Sequence, residues 1–356
     1  MVYAQIIVTN QLKGLNDVIT VRDGQNSNTV IRKNDATSNI FYVFPQTVTT
    51  VTIDNQDPTS QFLLTVVYLT LPTATQNQLQ KNQNLNYFTL TSLQLKPVTV
   101  VSDEPIILTL GRSGHIVDVF DNYFITDGPL DSFKSVHRLS EFTANNFNST
   151  SNSLSIVGLG NDTSFSTVMV SPASSLQGFS KFAGVTVNPK TQRVSGKVSD
   201  GLKKGVMVLA PNSGQLVLTA MDVGTSSSCL AIATTGPPGY SQSKMLIDFV
   251  SDSFSLPQIF PFPYLSIIYQ NCDIVFSFDT VTPSGYFKTD QEKSGYIFSP
   301  SFLNSASKAD FNVTFEYTGS DKKQFVVDVV DVTVNNNAEL DIDIYDADAK
   351  KTLSAV

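Results

Sequence analysis

Residues 17–24 read DVITVRDG, a stretch in which Ile19 and Val21 alternate with polar neighbours before an Asp-Gly turn. Alternation with a period of two is typical of a β-strand that buries one face, and Asp-Gly is a strong turn signal. The pattern recurs in three further stretches: 49–53 (TTVTI), 313–317 (VTFEY) and 341–345 (DIDIY). Because strands do not alternate with helical stretches, the sequence predicts an all-β fold of antiparallel sandwiches with little helix.

One short helix is expected between residues 130 and 142. Leu130, Phe133, Val136 and Leu139 recur there every three residues, which is close to the spacing of one helical face. No other stretch of the chain has comparable helical periodicity.

A weak internal repeat indicates that the sandwiches occur in tandem. Each copy has an apolar strand, a polar loop and a short strand ending in a turn, at 3–24, 214–236 and 324–347. The polar tract 76–86, QNQLQKNQNLN, lacks periodicity and predicts a linker. The predicted organisation is a domain over 1–74, a linker over 75–87, a β-rich region over 88–164, and domains over 165–285 and 286–356.

The composition excludes several classes of partner. Charged residues make up 15% of the chain, the net charge is −8 and the pI is near 4.7, so attraction to nucleic acid or anionic lipid is not expected. The longest apolar run, 62–71, is too short for a transmembrane helix, and no membrane span is predicted. The first residues lack a basic region, so no signal peptide is predicted in this sequence.

The residues that usually carry catalysis are scarce. The chain has two histidines, His115 and His137, and lacks the motifs typical of serine hydrolases, zinc proteases and P-loop enzymes. His115 lies near Asp118, Asp121 and Asp127, but a structural role is expected for both histidines. The chain is therefore not expected to be an enzyme; a sandwich hydrolase with two facing carboxylates is the third-ranked alternative.

Three motifs together carry a resemblance to a known family. Residues 295–300 read GYIFSP, 17–24 form the strand quoted above, and 61–68 (QFLLTVVY) form an apolar closing strand. A Gly-x-Ile-x-Ser-Pro strand, an Asp-x-Ile-x-Val-x-Asp-Gly strand and an aromatic return strand resemble the CUB sandwich, most of all the divergent CUB-like domains of nematode proteins. The resemblance covers 1–72, 165–285 and 295–356, and implies that the first and last copies are truncated.

This resemblance bears on the features expected of a secreted protein. Cys229 and Cys272 look like the later disulfide pair of a CUB domain, whereas the alternative is two buried thiols. Asn-x-Ser/Thr sites at Asn148, Asn161 and Asn312 are glycosylation candidates that are compatible with secretion.

The resemblance also implies calcium as the only cofactor to consider, because many CUB domains bind it through acidic residues. The candidate ligands are Asp328, Asp331 and Asp341 in the third copy, where carboxylates flank an Asn-rich turn. The alternative places these residues on the solvent face of a strand. No ion is expected in the middle copy, which has Leu230 and Ala231 at the relevant position. In the first copy Asp17 is retained, but Asn16 precedes it and no acidic partner does.

By resemblance, the chain is expected to be a secreted or cell-surface recognition protein without enzymatic activity, linked to innate immune or microbial responses. Its ligand would be a protein or a carbohydrate. Residues 260–264, FPFPY, are expected to fill the core or brace a loop rather than form a binding platform. The alternative is a viral-type structural protein built from jelly rolls, which share sparse charge and Ser/Thr-rich strands.

Overall fold

A computed structural model describes most of the chain. The residues outside this description are 25–26, 81–85, 114–119, 162–163, 190–191, 199–202, 225–226, 237, 239–244, 253, 282–285, 290, 292, 299–313, 320–339, 347–348 and 356. The described strands form two separate compact units, one from 1–285 with 293–312 and one from 286–292 with 313–356.

The first seventy residues form two small antiparallel sheets. Their strands are β1 (Val2–Gln11), β2 (Val18–Asp23), β3 (Asn28–Arg32), β4 (Ser38–Val43), β5 (Thr49–Asp54) and β6 (Gln61–Thr70). The sheet orders are β4-β1-β6 and β3-β2-β5. Alternation in the sequence decides which side chains are buried, since Ile6 and Val8 of β1 pack with Ile19 and Val21 of β2.

A five-stranded sheet follows, with the order β12-β11-β14-β9-β7. The strands of this region are β7 (Thr75–Gln78), β8 (Asn86–Thr89), β9 (Val98–Val101), β10 (Ile106–Arg112), β11 (Tyr123–Asp127), β12 (Ser135–Arg138), β13 (Phe147–Asn148) and β14 (Ser153–Gly158). The predicted linker thus contains a short strand, because β7 pairs in parallel with β9. The predicted domain boundaries themselves stay predictions.

Two further sheets are built largely from the middle of the chain. Their strands are β15 (Thr167–Pro172), β16 (Phe179–Val187), β17 (Gln192–Val198), β18 (Lys204–Pro211), β19 (Gln215–Val223), β20 (Leu230–Thr234), β21 (Met245–Asp248), β22 (Gln258–Phe260), β23 (Leu265–Gln270) and β24 (Cys272–Val281). One sheet has the order β21-β20-β23-β18-β16-β10-β15-β8 with β13 paired to β10, and the other has the order β17-β24-β19-β22.

The nine-stranded sheet is shared by two sandwiches. At one end, β10 and β15 pack on the five-stranded sheet around a core that includes Leu108 and Ile156. At the other end, β18 and β20 pack on the four-stranded sheet around a core that includes Leu209 and Phe276. The all-β sandwich prediction is therefore confirmed, and strands from the predicted 88–164 and 165–285 segments lie in one continuous sheet.

Parallel pairs interrupt the expected antiparallel pattern. Strands β10 and β16 pair in parallel, as do β16 and β18. Between β16 and β18 the chain forms β17, which belongs to the opposite sheet. A strand of the facing sheet thus makes the crossover that a helix makes in α/β proteins, which is why the sequence contains no helical signal for it.

The helix expected over 130–142 is corrected. Ser135–Arg138 form strand β12, and only Leu139–Phe142 form a single 3₁₀ turn. Leu130 packs in a core between the β4-β1-β6 sheet and the five-stranded sheet, with Tyr3 and Phe124, whereas Leu139 packs between the five- and nine-stranded sheets. The spacing of three between these apolar residues therefore reflects burial in two different cores and not one face of a helix. Further 3₁₀ helices in the described part of the chain are Leu90–Leu93, Phe120–Asn122 and Ala173–Leu176.

The described residues of the second unit form two strand pairs. Strands β25 (Tyr286–Thr289) and β26 (Thr314–Tyr317) pair in parallel, and β27 (Leu340–Asp346) and β28 (Ala349–Ala355) form an antiparallel hairpin.

Candidate functional site

The predicted disulfide is present. Cys229 and Cys272 are bonded, with 4.9 Å between their Cα atoms. Cys229 precedes β20 and Cys272 begins β24, so the bond joins the nine- and four-stranded sheets across their shared core.

The calcium candidates lie largely outside the described residues. Asp328 and Asp331 lie outside the described residues, whereas the backbone of Asp341 lies in β27 opposite Ser354. Within the described part of the chain, no group of three or more acidic, histidine or cysteine residues is placed to hold a metal ion. The calcium site in the third copy stays a prediction.

The glycosylation candidates are only partly described. Asn148 lies in β13 with its side chain exposed, and Asn161 is exposed after β14. Asn312 lies outside the described residues. Exposure at the first two is compatible with modification, and glycosylation at all three stays a prediction.

Asp17 is a buried carboxylate whose oxygens are occupied by protein donors. It accepts hydrogen bonds from the backbone N–H groups of Gly14 at 3.1 Å, Gln56 at 2.8 Å and Asp57 at 3.2 Å, and from the Ser60 hydroxyl. The Ser60 bond is the main cause that lowers the pKa of Asp17, and the three N–H bonds lower it further against the opposing effect of burial. Asp17 therefore ties together the loops before β2 and after β5.

We expect Asp17→Asn to destabilise the protein at neutral pH and to have a smaller effect in acid. A folded-state pKa below the ordinary 3.8 gives stability that is present above this value and lost as the pH falls through the folded pKa. The measurement is the urea midpoint of the wild type and of Asp17→Asn at pH 7, 4 and 3, and the difference between the two midpoints should shrink as the pH falls. Asp54→Asn, which changes an exposed carboxylate on β5, is the control. A difference of constant size at every pH would contradict this role.

A buried ion pair links the first sheets to the five-stranded sheet. The Nε of Arg138, at the end of β12, donates to Oδ2 of Asp23, at the end of β2. Arg138 also donates to the carbonyl oxygens of Asp121 and, at 3.3 Å, Tyr42, and its guanidinium carbon lies 4.7 Å from the centroid of the Phe124 ring. All these contacts lie within the first compact unit.

A crevice beside this pair is too small for a typical organic ligand. It is lined by Val21, Asp23, Ser27, Thr29, Phe41, Tyr42, Thr49 and Arg138. Its empty space is about 210 Å³, part of it open solvent, whereas ligand pockets usually measure about 300–1,000 Å³. We therefore assign Arg138 and Asp23 a structural role.

The aromatic segment 260–264 belongs to the core. Phe260 is fully buried, and Phe262 and Tyr264 are each 6% exposed. Phe260 and Phe262 pack on Phe298, with ring centroids 6.0 and 5.5 Å apart. The expected core-filling role is confirmed, and these rings form no exposed platform for a sugar.

A serine, a histidine and a glutamate form a hydrogen-bonded chain at the end of β12. Ser135 Oγ lies 3.0 Å from His137 Nε2, and His137 Nδ1 lies 3.1 Å from Glu141 Oε2. The sequence predicts a structural role for His137 and no nucleophilic serine. A Ser-x-His pair on one face of a strand, followed by Glu four residues after the histidine, is the signal that could have identified the cluster.

Strand β6 is an exposed strand of unusual composition. Its ten residues, QFLLTVVYLT, include no charged side chain. Among the described residues β6 pairs only with β1, so it lies at the edge of its sheet. Edge strands usually carry charges, proline or a bulge that prevent pairing with other chains, and β6 carries no charge and no proline.

The side chains of β6 that point toward the sandwich core are only half covered. Val66 lies opposite Ile6 and Leu64 opposite Val8, and directly opposed residues share a face of the sheet. Ile6 and Val8 are 6% and 0% exposed, whereas Val66 and Leu64 are 43% and 40% exposed. The sandwich is thus open along β6. We call the exposed apolar side chains of β6 the open flank; Phe62, Leu64, Val66 and Tyr68 lie on the core-facing side of the strand, and Leu63 lies on the opposite side.

None of the helices in the described part of the chain is long and apolar enough to cross a membrane.

Comparisons with known proteins add a likeness to solved structures. No family model matches the chain, and no curated protein matches it. Among solved structures, the chain is similar to the CUB1-EGF-CUB2 domain of human MASP-1/3, with 10% sequence identity and a TM-score of 0.21. The likeness covers 56% of this chain and all of the other. At this TM-score it supports no functional conclusion, and the geometry of the chain itself has to supply one.

Proposed function

We propose that this chain is a recognition protein that works by binding, and that the open flank on β6 takes up an extended segment of a partner protein. The observation that carries the proposal is an uncharged ten-residue edge strand with half-exposed apolar side chains on its core-facing side. Contiguous exposed apolar surface commonly marks an interaction site.

The chemistry of the open flank favours a polypeptide over a carbohydrate. An edge strand presents backbone N–H and C=O groups that an added strand satisfies directly. Phe62, Leu64 and Val66 offer apolar contact and no hydrogen bonds from their side chains. A partner strand with alternating apolar residues meets both requirements, whereas a sugar needs polar side chains around an aromatic ring.

The proposal extends to location and biological role. We place the protein outside the cell or at its surface, because structural disulfides such as Cys229–Cys272 persist mainly in oxidising compartments. The CUB-like sequence motifs, of the nematode type, favour a role in innate immune or microbial responses. The biological role rests on the proposed recognition function.

A labelled peptide tests the open flank. The probe has the sequence of residues 61–70 followed by two lysines for solubility, and its binding to the whole chain is followed by fluorescence anisotropy. We expect saturable binding, and at least a tenfold loss of affinity in Val66→Lys, because a charge would be buried without a partner in the new sheet.

Val30→Lys is the matched control. Val30 lies on the edge strand β3 and is 39% exposed, close to the 43% of Val66. We expect this variant to bind the peptide as the wild type does. Equal losses in both variants, or no binding at all, would overturn the proposal. Sedimentation of the chain alone tests whether the open flank binds a second copy of the chain. A dimer that is abolished by Val66→Lys would show that the occupant is a second copy and not a partner protein.

A further inference from the structure

The cluster on β12 has the hydrogen-bond order of an activated serine. Ser135 and His137 are two residues apart on one strand and therefore point to the same face. The serine hydroxyl lies 3.0 Å from Nε2 of the imidazole, which is within reach for proton transfer. Nucleophilic serines are recognised by this combination of a hydroxyl, a base within hydrogen-bond distance and a third group that orients the base.

Glu141 fixes which imidazole nitrogen carries the proton. A carboxylate only accepts hydrogen bonds, so Nδ1 of His137, 3.1 Å from Oε2 of Glu141, is the protonated nitrogen. Nε2 is then the acceptor that faces Ser135, as a general base requires.

The surroundings hold the histidine and the glutamate in place. The other oxygen of Glu141, Oε1, accepts the backbone N–H of Arg138 at 2.8 Å and thereby caps the 3₁₀ turn. The His137 ring packs against Phe142 and Phe147, with centroids 5.7 and 5.6 Å away. The two aromatic rings and the Glu141 carboxylate, which is itself held by the Arg138 N–H, restrict the imidazole to the orientation that faces Ser135.

The position of the cluster leaves it accessible. Strand β12 is at the edge of its sheet in the described part of the chain, and Ser135 is half-buried. The side chains of His137 and Glu141 are 33% and 37% exposed. A small acyl donor can therefore approach the serine from solvent.

We propose that Ser135 is an acyl acceptor for activated esters and thioesters, with His137 as its general base and Glu141 as a positioning residue. Ser135 Oγ attacks the acyl carbonyl carbon while its proton passes to His137 Nε2. The bond from that carbon to the leaving oxygen or sulfur then breaks, and the imidazolium returns the proton to the leaving group. The products are an ester on Ser135 and a free alcohol or thiol. This modification is independent of the proposed binding at β6.

The test uses p-nitrophenyl acetate on the whole chain, with peptide mass mapping of the acetyl group. We expect one acetyl group on Ser135, accompanied by an equal amount of p-nitrophenol. His137→Gln is expected to slow acetylation of Ser135 by about 100-fold or more, the usual size of a general-base effect. Ser135→Ala should remove this label and leave slow acetylation of lysines unchanged.

Ser132→Ala is the matched control. Ser132 is an exposed serine on the same segment, hydrogen-bonded to Asp131 and not to a histidine. Its loss should leave the Ser135 rate unchanged in the otherwise native chain. Acetylation of Ser135 no faster than that of Ser132, or unaffected by His137→Gln, would overturn the proposal. Should His137→Gln misfold, His137→Gly is tested with added imidazole. Recovery of the Ser135 acetylation rate supports the proposal, and no recovery contradicts it.

Glu141→Gln tests the positioning residue separately from its capping role. Glutamine retains an oxygen that can accept the Arg138 N–H, so the turn is expected to persist. We expect the ¹⁵N signals of the His137 ring to lose the pure Nδ1–H pattern and the acetylation rate to fall about tenfold. Unchanged ring signals together with an unchanged rate would show that Glu141 only caps the turn.

Discussion

Replacing Arg138 with methionine is expected to lower the free energy of unfolding by about 3–5 kcal/mol, the usual result of removing one partner from a buried ion pair. Asp23 would remain buried with its charge, and the carbonyl groups of Asp121 and Tyr42 would each lose the hydrogen bond from Arg138. The packing of the guanidinium on the Phe124 ring would also be lost. The measurement is urea unfolding followed by circular dichroism.

An exposed ion pair in the same chain provides the control. Lys197 Nζ and Asp273 Oδ2 are 2.9 Å apart, but their side chains are 65% and 60% exposed. Lys197→Met is expected to cost less than about 1 kcal/mol, because water screens the pair. Equal costs for Lys197→Met and Arg138→Met would show that Arg138 does not join the first sheets to the five-stranded sheet.

Replacing both cysteines with alanine is expected to cost about 4 kcal/mol of unfolding free energy, by the chain-entropy relation. Cys229 and Cys272 are 43 residues apart in sequence, and the bond between them restricts the unfolded chain over this whole loop. The loss should appear in the unfolding of the sandwich formed by the nine- and four-stranded sheets.

Reduction of the wild-type protein provides an independent check on this loss. The reduced protein and the double variant should have similar urea midpoints, both well below that of the oxidised protein. Reaction of the native protein with a thiol reagent should detect no free thiol, since both cysteines are paired. An oxidised protein with the same midpoint as the double variant would contradict a stabilising bond.

Individual strands were predictable from the sequence, because alternation fixes which face of a strand is buried. Ile19 and Val21, in the alternating stretch 17–24, are 0% and 4% exposed. The order of strands within the sheets was not predictable in the same way. The parallel contact between β10 and β16 depends on which distant strands meet, and no local pattern encodes that meeting.

The open flank is a second case in which the sequence predicts a strand but not its position in the sheet. The strand predicted over 61–68 is present as part of β6, and hydropathy alone would place such an apolar stretch inside the protein. Its exposure follows from its position at the edge beside β1, which is a property of the sheet order. Periodicity describes the faces of one strand but not its neighbours.

The candidate sites differ in how far they could be predicted from the sequence. Ser135, His137 and Glu141 lie within seven residues, so their proximity was implicit, but their alignment depends on a strand that ends in a 3₁₀ turn. Asp23 and Arg138 are 115 residues apart and meet only through packing of separate sheets. No sequence pattern in a single chain predicts such a pair.

Hydrogen exchange along β6 tests the central claim most directly. Mass spectrometry would compare residues 61–70 in the protein alone and with saturating 61–70 peptide, with the edge strand β3 as the internal reference. Strand addition predicts at least tenfold slower exchange at alternate amides of β6, because alternate N–H groups of an edge strand point outward, and no change in β3. Unchanged exchange throughout β6 at saturating peptide would contradict the open flank as the recognition surface.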